Sequence, residues 1–203
     1  MSAINIVEVA LKEWSGVVSE PPGPGNTKIQ GYLDGLRIIA KGAQGKYFHD
    51  GDAEWCGAFA GWCVIQAGLL NPELVKVKSK PEMGALASTY RMFCLANLPF
   101  EGKPHARLIK DHNLIQAGDI LSVGRLPSKG VRRPIWGEHI VIATGVFDKS
   151  GIISTVEGNA YGKLGNGRTG QGVVRRTRPA TPTSTDKGFM FGLRFLTEDF
   201  TKG

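Results

Sequence analysis

Apolar positions recur at helical spacing through the first half of the chain and switch to short β-rich runs beyond Gly118. Ile4, Val7, Leu11 and Trp14 fall on one face of a predicted amphipathic helix over residues 4–14, and Pro21-Pro22-Gly23-Pro24-Gly25 then forces a turn. Asn26 or Thr27 suits the cap of a second helix, in which Ile29, Leu33, Leu36 and Ile39 keep the same spacing until Gly42 to Gly45 ends it. From Gly57 to Leu70 the chain is apolar almost all round, the pattern of a helix buried between other layers. Met83, Leu86, Tyr90 and Phe93 predict a further helix within residues 82–97.

Beyond Gly118, residues 120–123, 140–144, 152–156, 173–176 and 190–195 read as strands divided by Gly, Pro and Asp turns, an antiparallel meander. Helices first and strands later predict an α+β fold, N-terminal helices packed on an antiparallel sheet, with residues 1–203 as one domain. The run from Arg178 to Thr185 resembles a linker and is expected to be a surface loop.

The fully apolar helix acquires chemical interest at its first residue, Cys56. A thiol at a helix start meets the positive end of the peptide dipoles, which favours the thiolate and makes Cys56 a candidate nucleophile. Its partners would lie far downstream, where His139 opens one strand and Glu157 and Asn159 end the next, supplying a base and a group to orient it. On paired strands these side chains share a face only if opposed residue numbers sum to an even value, and a sum of 298 sets His139 opposite Asn159. That register requires a three- or five-residue loop, or a bulge, around Asp148-Lys149-Ser150-Gly151; a two-residue turn would break it. Asn159 therefore stands first as the orienting residue, with Glu157 open because a carboxylate stabilises imidazolium more strongly.

The order of these signals resembles the CHAP-type cysteine peptidases and amidases of the wider NlpC/P60, papain-like group. Trp55-Cys56 opening a helix that ends Gln66-Ala67-Gly68, the Ala117-Gly118-Asp119-Ile120 turn, the His139 strand and Val156-Glu157-Gly158-Asn159 match the family pattern over most of the chain. The resemblance implies a peptidoglycan hydrolase of the endolysin kind, either an endopeptidase or an N-acetylmuramoyl-L-alanine amidase. Its rivals are an acyltransferase or deamidase built on the same thiol and imidazole, and a non-catalytic wall-binding or structural phage protein.

Charge adds a partner class. The net charge of +7 fits anionic polymers, but no zinc-finger spacing, recognition helix or aromatic-interleaved basic repeat accompanies it, so nucleic acid is not expected. The basic loop from Arg125 to Trp136 leads into the histidine strand; Arg132 and Arg133 are candidates to meet substrate carboxylates, and Trp55 and Trp136 to offer flat apolar surfaces. Three cysteines without a CxxC argue for reduced thiols, and Cys63 and Cys94 read as core. His49, His105 and His112 read as loop residues with no zinc-site spacing, so no metal is assigned. Asp50 and Asp52 offer an oxygen pair where the resemblance suggests calcium, but too few acidic residues come after them to complete a shell, and no cofactor is expected. The start lacks a basic, cleavable leader and no apolar run spans a membrane, so action on the wall would need a holin, lysis or a secretion machine, with an immunity protein as a candidate partner of an effector.

Overall fold

The computed structural model describes residues 4–18, 27–29, 31–32, 55–69, 99–100, 103–104, 106–126 and 139–196. Helices α1 (Ile4–Ser15) and α2 (Cys56–Gln66) pack on a six-stranded antiparallel sheet, giving an α+β architecture. The sheet comprises β3 (Ala106–Ile109), β4 (Ile120–Gly124), β5 (His139–Ala143), β6 (Ile152–Lys163), β7 (Thr169–Pro179) and β8 (Gly188–Phe195), in the order β3-β8-β4-β5-β6-β7. A separate two-stranded ladder joins β1 (Pro99–Phe100) to β2 (Lys103–Pro104). The expected meander holds from β4 to β7; β8 then crosses back to pair with the far side of β4, and β3 adds beyond it. The predicted helix within 82–97 lies outside the described residues.

Every residue of β4 and β5 is buried, because both faces of these central strands are covered. Ile120, Ile140, Ile142 and Val156 share one core with α1 and α2, while Leu121, Val123, Val141 and Ile153 meet Ile115 and Phe189 in a second. Each fully buried side chain of this size stabilises the fold by roughly 1.5–3 kcal/mol relative to exposure.

Helix α1 is rotated from the expected face: Ile6, Ala10 and Glu13 are its most buried residues. Glu13 tolerates burial because Lys28 Nζ donates to both carboxylate oxygens at 3.0 and 3.1 Å and the Tyr32 hydroxyl donates to Oε2. Burial first, and then the adjacent Glu13 carboxylate, pushes the Tyr32 hydroxyl far above its ordinary range, so it stays a donor. Tyr32 in turn stacks on Trp55, with ring centroids 5.8 Å apart. A line of contacts thus runs from α1 through Tyr32 to the residue before Cys56.

Helix α2 stops where the sequence signals. Gly68 adopts φ +71°, its N–H donates to Ile65, and Leu69 N–H donates to Val64, the paired bonds of a Schellman ending. The Ala117-Gly118-Asp119 turn is pinned by Arg194 on β8, whose Nε and Nη2 each donate to Asp119 at 2.8 Å, while Gln116 N–H donates to the same carboxylate at 2.8 Å. Asp119 is fully buried, so truncating it strands part of the Arg194 charge as well as an amide donor. Asp119→Ala should lower unfolding free energy by about 3 kcal/mol, seen as a lower urea midpoint at unchanged slope.

Candidate active site

Trp55 precedes α2 with φ −93° and ψ 14° and contributes no side-chain cap. The first helical bond runs from Phe59 N–H to the Trp55 carbonyl at 2.9 Å, so the N–H of Cys56 sits ahead of the ladder, at the positive end of the helix. Small residues Gly57, Ala58, Ala60 and Gly61 let this end of the chain approach the sheet closely. A Cβ at Gly158 would lie 2.6 Å from Phe59 Cβ and 2.7 Å from Trp55 Cζ3, so only glycine permits β6 to pass here.

Strand β5 brings His139 to this point. The imidazole hydrogen-bonds the Cys56 side chain, and its Nε2 lies 3.2 Å from Glu157 Oε2. With Nε2 on the carboxylate, Nδ1 is the ring nitrogen available to the sulfur. Cys56 is 3% exposed, His139 7% and Glu157 0%. Glu157 is held on all sides: Thr155 Oγ1 donates to Oε1 at 2.7 Å, Arg178 Nε donates to Oε1 at 2.8 Å, and Arg178 Nη2 donates to Oε2.

The electrostatics arise from these contacts. Burial disfavours the imidazolium, but the negative sulfur of Cys56, aided by Glu157, outweighs it and pushes His139 up to about 9. Burial likewise disfavours the Glu157 carboxylate, yet the hydrogen bonds from His139 and Arg178 hold it well below the usual carboxylate range. Sulfur, imidazole, carboxylate and guanidinium therefore form one row of contacts, with the carboxylate set between imidazole and guanidinium. Such a row can present a thiolate beside an imidazolium and keep the ring fixed in tautomer and orientation.

The β5–β6 register has the anticipated sum: Ile142 opposes Val156 and Ala143 opposes Thr155. Its turn does not keep that sum: Gly151 N–H donates to the Asp148 carbonyl and Asp148 N–H to the Ile152 carbonyl, closing a three-residue loop on a pair that sums to 300, so the hairpin shifts between Thr144–Ser154 and the turn, where Gly151 takes φ +72°. Of the two candidate orienting residues, Glu157 is the one at the imidazole. Preference for Asn159 assumes uninterrupted alternation, but β6 has a bulge there: against β7, Glu157 opposes Val174 whereas Ala160 opposes Gly172. Asn159 sits in that bulge at φ +54°, and its Oδ1 accepts from Gln171 Nε2 at 3.1 Å.

Other candidates are placed differently. Trp55 is fully buried against Tyr32 and belongs to the core, so it offers no flat surface to a substrate. Cys63 is fully buried, and that burial raises its thiol well above the ordinary range, as core packing requires. His112 packs edge-on against Phe147 and Phe189. Arg132, Arg133, Trp136, Cys94, His49, His105, Asp50 and Asp52 lie outside the described residues. Among the described residues no cluster of His, Cys, Asp or Glu has the makings of a metal site, and no helix is long and apolar enough to cross a membrane.

Thr155 and Arg178 join the site without having stood out in the sequence. Thr155 carried a usable signal, being two residues before Glu157 on a strand and hence on its face. Arg178 carried none: far from lying in a linker, it stands near the end of β7, opposite Ile153, and reaches Glu157 along the same side of the sheet. A cavity of about 260 Å³ opens beside His139, and Asn159, Arg176 and Arg178 are among its lining residues, whereas Cys56 is not. No family model, curated protein or solved structure matches this chain.

The two shifts set a pH window. Glu157, with a lowered value, stabilises the fold above its ordinary 4.5, and that contribution is lost as pH falls below it. His139, with a raised value, contributes fully below 6.5 and loses its contribution as pH rises through about 9. In Glu157→Gln the ring loses a charged partner, so its titration midpoint, followed by NMR of the His139 ring protons, should fall from near 9. An unchanged midpoint would remove Glu157 from the imidazole's environment.

Proposed function

We propose that this chain is a cysteine-dependent peptidase or amidase of the CHAP, NlpC/P60 and papain-like kind that cuts a peptide or amide bond of bacterial peptidoglycan. The observation that carries the reading is the hydrogen-bonded succession Cys56, His139 and Glu157, with the sulfur at the start of a helix. The choice of substrate rests on the ordered sequence resemblance and the positive charge.

In this mechanism the Cys56 thiolate attacks the scissile carbonyl carbon, forming a C–S bond while the carbonyl π electrons move to oxygen. The oxyanion meets the backbone N–H of Cys56, an interaction worth about 3 kcal/mol of barrier where such donors have been removed. As the tetrahedral intermediate collapses, the C–N bond breaks and His139 gives its proton to the leaving amine. Water, deprotonated by the now neutral imidazole, attacks the thioester carbonyl, and collapse breaks the C–S bond, releasing the acid and restoring the thiolate and imidazolium. Glu157 holds the ring through both halves, and Thr155 and Arg178 hold Glu157.

A second reading is favoured by the 3% exposure of Cys56: the same four side chains act as a structural clasp on a wall-binding or phage structural protein. Activity separates the two. Cys56→Ala should reduce release of new amino termini from purified peptidoglycan by about 10³-fold or more, with an unchanged circular dichroism spectrum. Because amine departure needs imidazolium, the wild-type rate should fall on the alkaline side near pH 9. Release that is equal in the two proteins would favour the clasp, and an acyl acceptor other than water appearing in the products would favour a transferase.

A further inference from the structure

Three aromatic contacts converge on the helix that carries Cys56. The Tyr32 ring stacks on Trp55 and meets Phe59 and Trp62 edge-on, with centroids 5.3 and 5.1 Å away. Spaced four and then three residues apart, Trp55, Phe59 and Trp62 form one stripe along α2 and the residue before it. A Cβ at Gly158 would press on Trp55 and Phe59, so β6 abuts two of the same side chains. Helix α2 is therefore gripped by a ring and a strand. Tyr32 is itself tethered, since its hydroxyl donates to Glu13 on α1, where Lys28 Nζ also donates. Helix α1 is in turn fixed to the sheet: Trp14 Nε1 donates to the Lys163 carbonyl at 3.0 Å, and Val173 N–H donates to the Val18 carbonyl, just past the helix, at 2.9 Å. The contacts close a loop from β6 and β7 through α1, Glu13, Tyr32 and α2 back to β6, with the hydroxyl-to-carboxylate bond as a polar link within it.

The loop matters because Cys56 lies at the gripped end of α2. A side-chain atom roughly 4–5 Å from a helix axis moves by about 1 Å when the helix turns by about 13°. A misplacement of about 1 Å can lower a rate on the order of a hundredfold. Apolar packing is non-directional and resists such a turn weakly, whereas a hydrogen bond fixes where the ring stands along the stripe. Tyr32 is 1% exposed and Glu13 4%, so water does not compete for that bond. Burial, and then the Glu13 carboxylate, keep the phenol protonated across the range in which His139 titrates, so the tether persists throughout it. We propose that Tyr32 and Glu13 are positioning residues for the nucleophile: their hydrogen bond sets the rotation of α2 and hence the contact between the Cys56 sulfur and the His139 ring. The inference rests on the hydrolase reading for the role of that sulfur and on the loop of contacts for the coupling.

The test uses the full chain with Tyr32→Phe and Glu13→Leu together, which removes the bond and leaves neither partner buried and unpaired. The Lys28 side chain is 58% exposed, so water takes the place of Glu13 there. Two readouts are followed: titration of the His139 ring protons by NMR, and the initial rate at which purified peptidoglycan gains amino termini. In the wild type the Cys56 sulfur and Glu157 raise the ring's midpoint to about 9. With the sulfur displaced, the midpoint should fall to about 8 or below, about a tenfold loss of proton affinity. Cleavage should slow by about tenfold or more. Glu13→Gln keeps an oxygen for the hydroxyl, and Ile6→Val trims the buried face of α1 without removing a hydrogen bond; each should leave both readouts within about twofold of wild type. Tyr32→Phe alone, the smaller change, is read by the same criteria if the double variant does not fold. A midpoint that stays near 9 without the bond overturns the tether, as does an equal fall in Glu13→Gln or Ile6→Val. A lowered midpoint with no cleavage by the wild type keeps the tether and removes the hydrolase. Wild-type cleavage with an unmoved midpoint removes the tether and leaves the hydrolase.

Discussion

Glu157 is a charge in a place without water, and the arrangement of the sheet around it reflects that. A fully buried carboxylate survives only when its oxygens are satisfied, and here Thr155, Arg178 and His139 supply the donors from two neighbouring strands and its own. Removing any donor leaves part of the charge uncompensated, which in buried pairs costs several kcal/mol. The same requirement fixes His139: the ring cannot rotate to serve the sulfur in another way without vacating the carboxylate. Stability and the geometry beside Cys56 are therefore one constraint.

The sulfur reaches that ring because the helix comes in close. Gly158 leaves no Cβ between β6 and the Trp55–Phe59 turn, Trp55 is held by Tyr32, and Tyr32 is held by Glu13 on α1. A residue with a side chain at 158 would have to displace Phe59 or the strand, moving Cys56 away from His139. Glycine between Glu157 and Asn159 is thus a packing requirement of the helix, and the bulge next to it separates the roles of the two polar residues. Glu157 reaches the ring diagonally, on the face it shares with Thr155 and His139; Asn159, at positive φ, turns to Gln171 and the cavity wall.

Charge is divided between two zones of the same sheet. Inside, His139 and Arg178 compensate Glu157 beside the Cys56 sulfur. Beside them, the described lining of the cavity includes Arg125, Arg176 and Lys187 together with Asp186.

Much of the frame was legible in the chain itself, because period and punctuation are local properties. The helix beginning at Cys56 and ending at Gly68, the strands at 120, 139 and 152, and the β5–β6 register all stem from alternation, a glycine C-cap and a turn whose Asp148 and Gly151 admit few geometries. The α+β order came from the change of period. Tertiary structure decided the rest. No local pattern states that β8 returns to the far side of β4, that Arg178 points at a carboxylate 21 residues earlier, or that a bulge hands the imidazole to Glu157 instead of Asn159. Trp55 illustrates the same divide: sequence marks it as a large flat side chain beside a thiol, and only the packing of Tyr32 and Gly158 makes it core. Pattern specifies which residues share an element, whereas burial, register between distant strands and the need to satisfy one enclosed charge specify which of them meet.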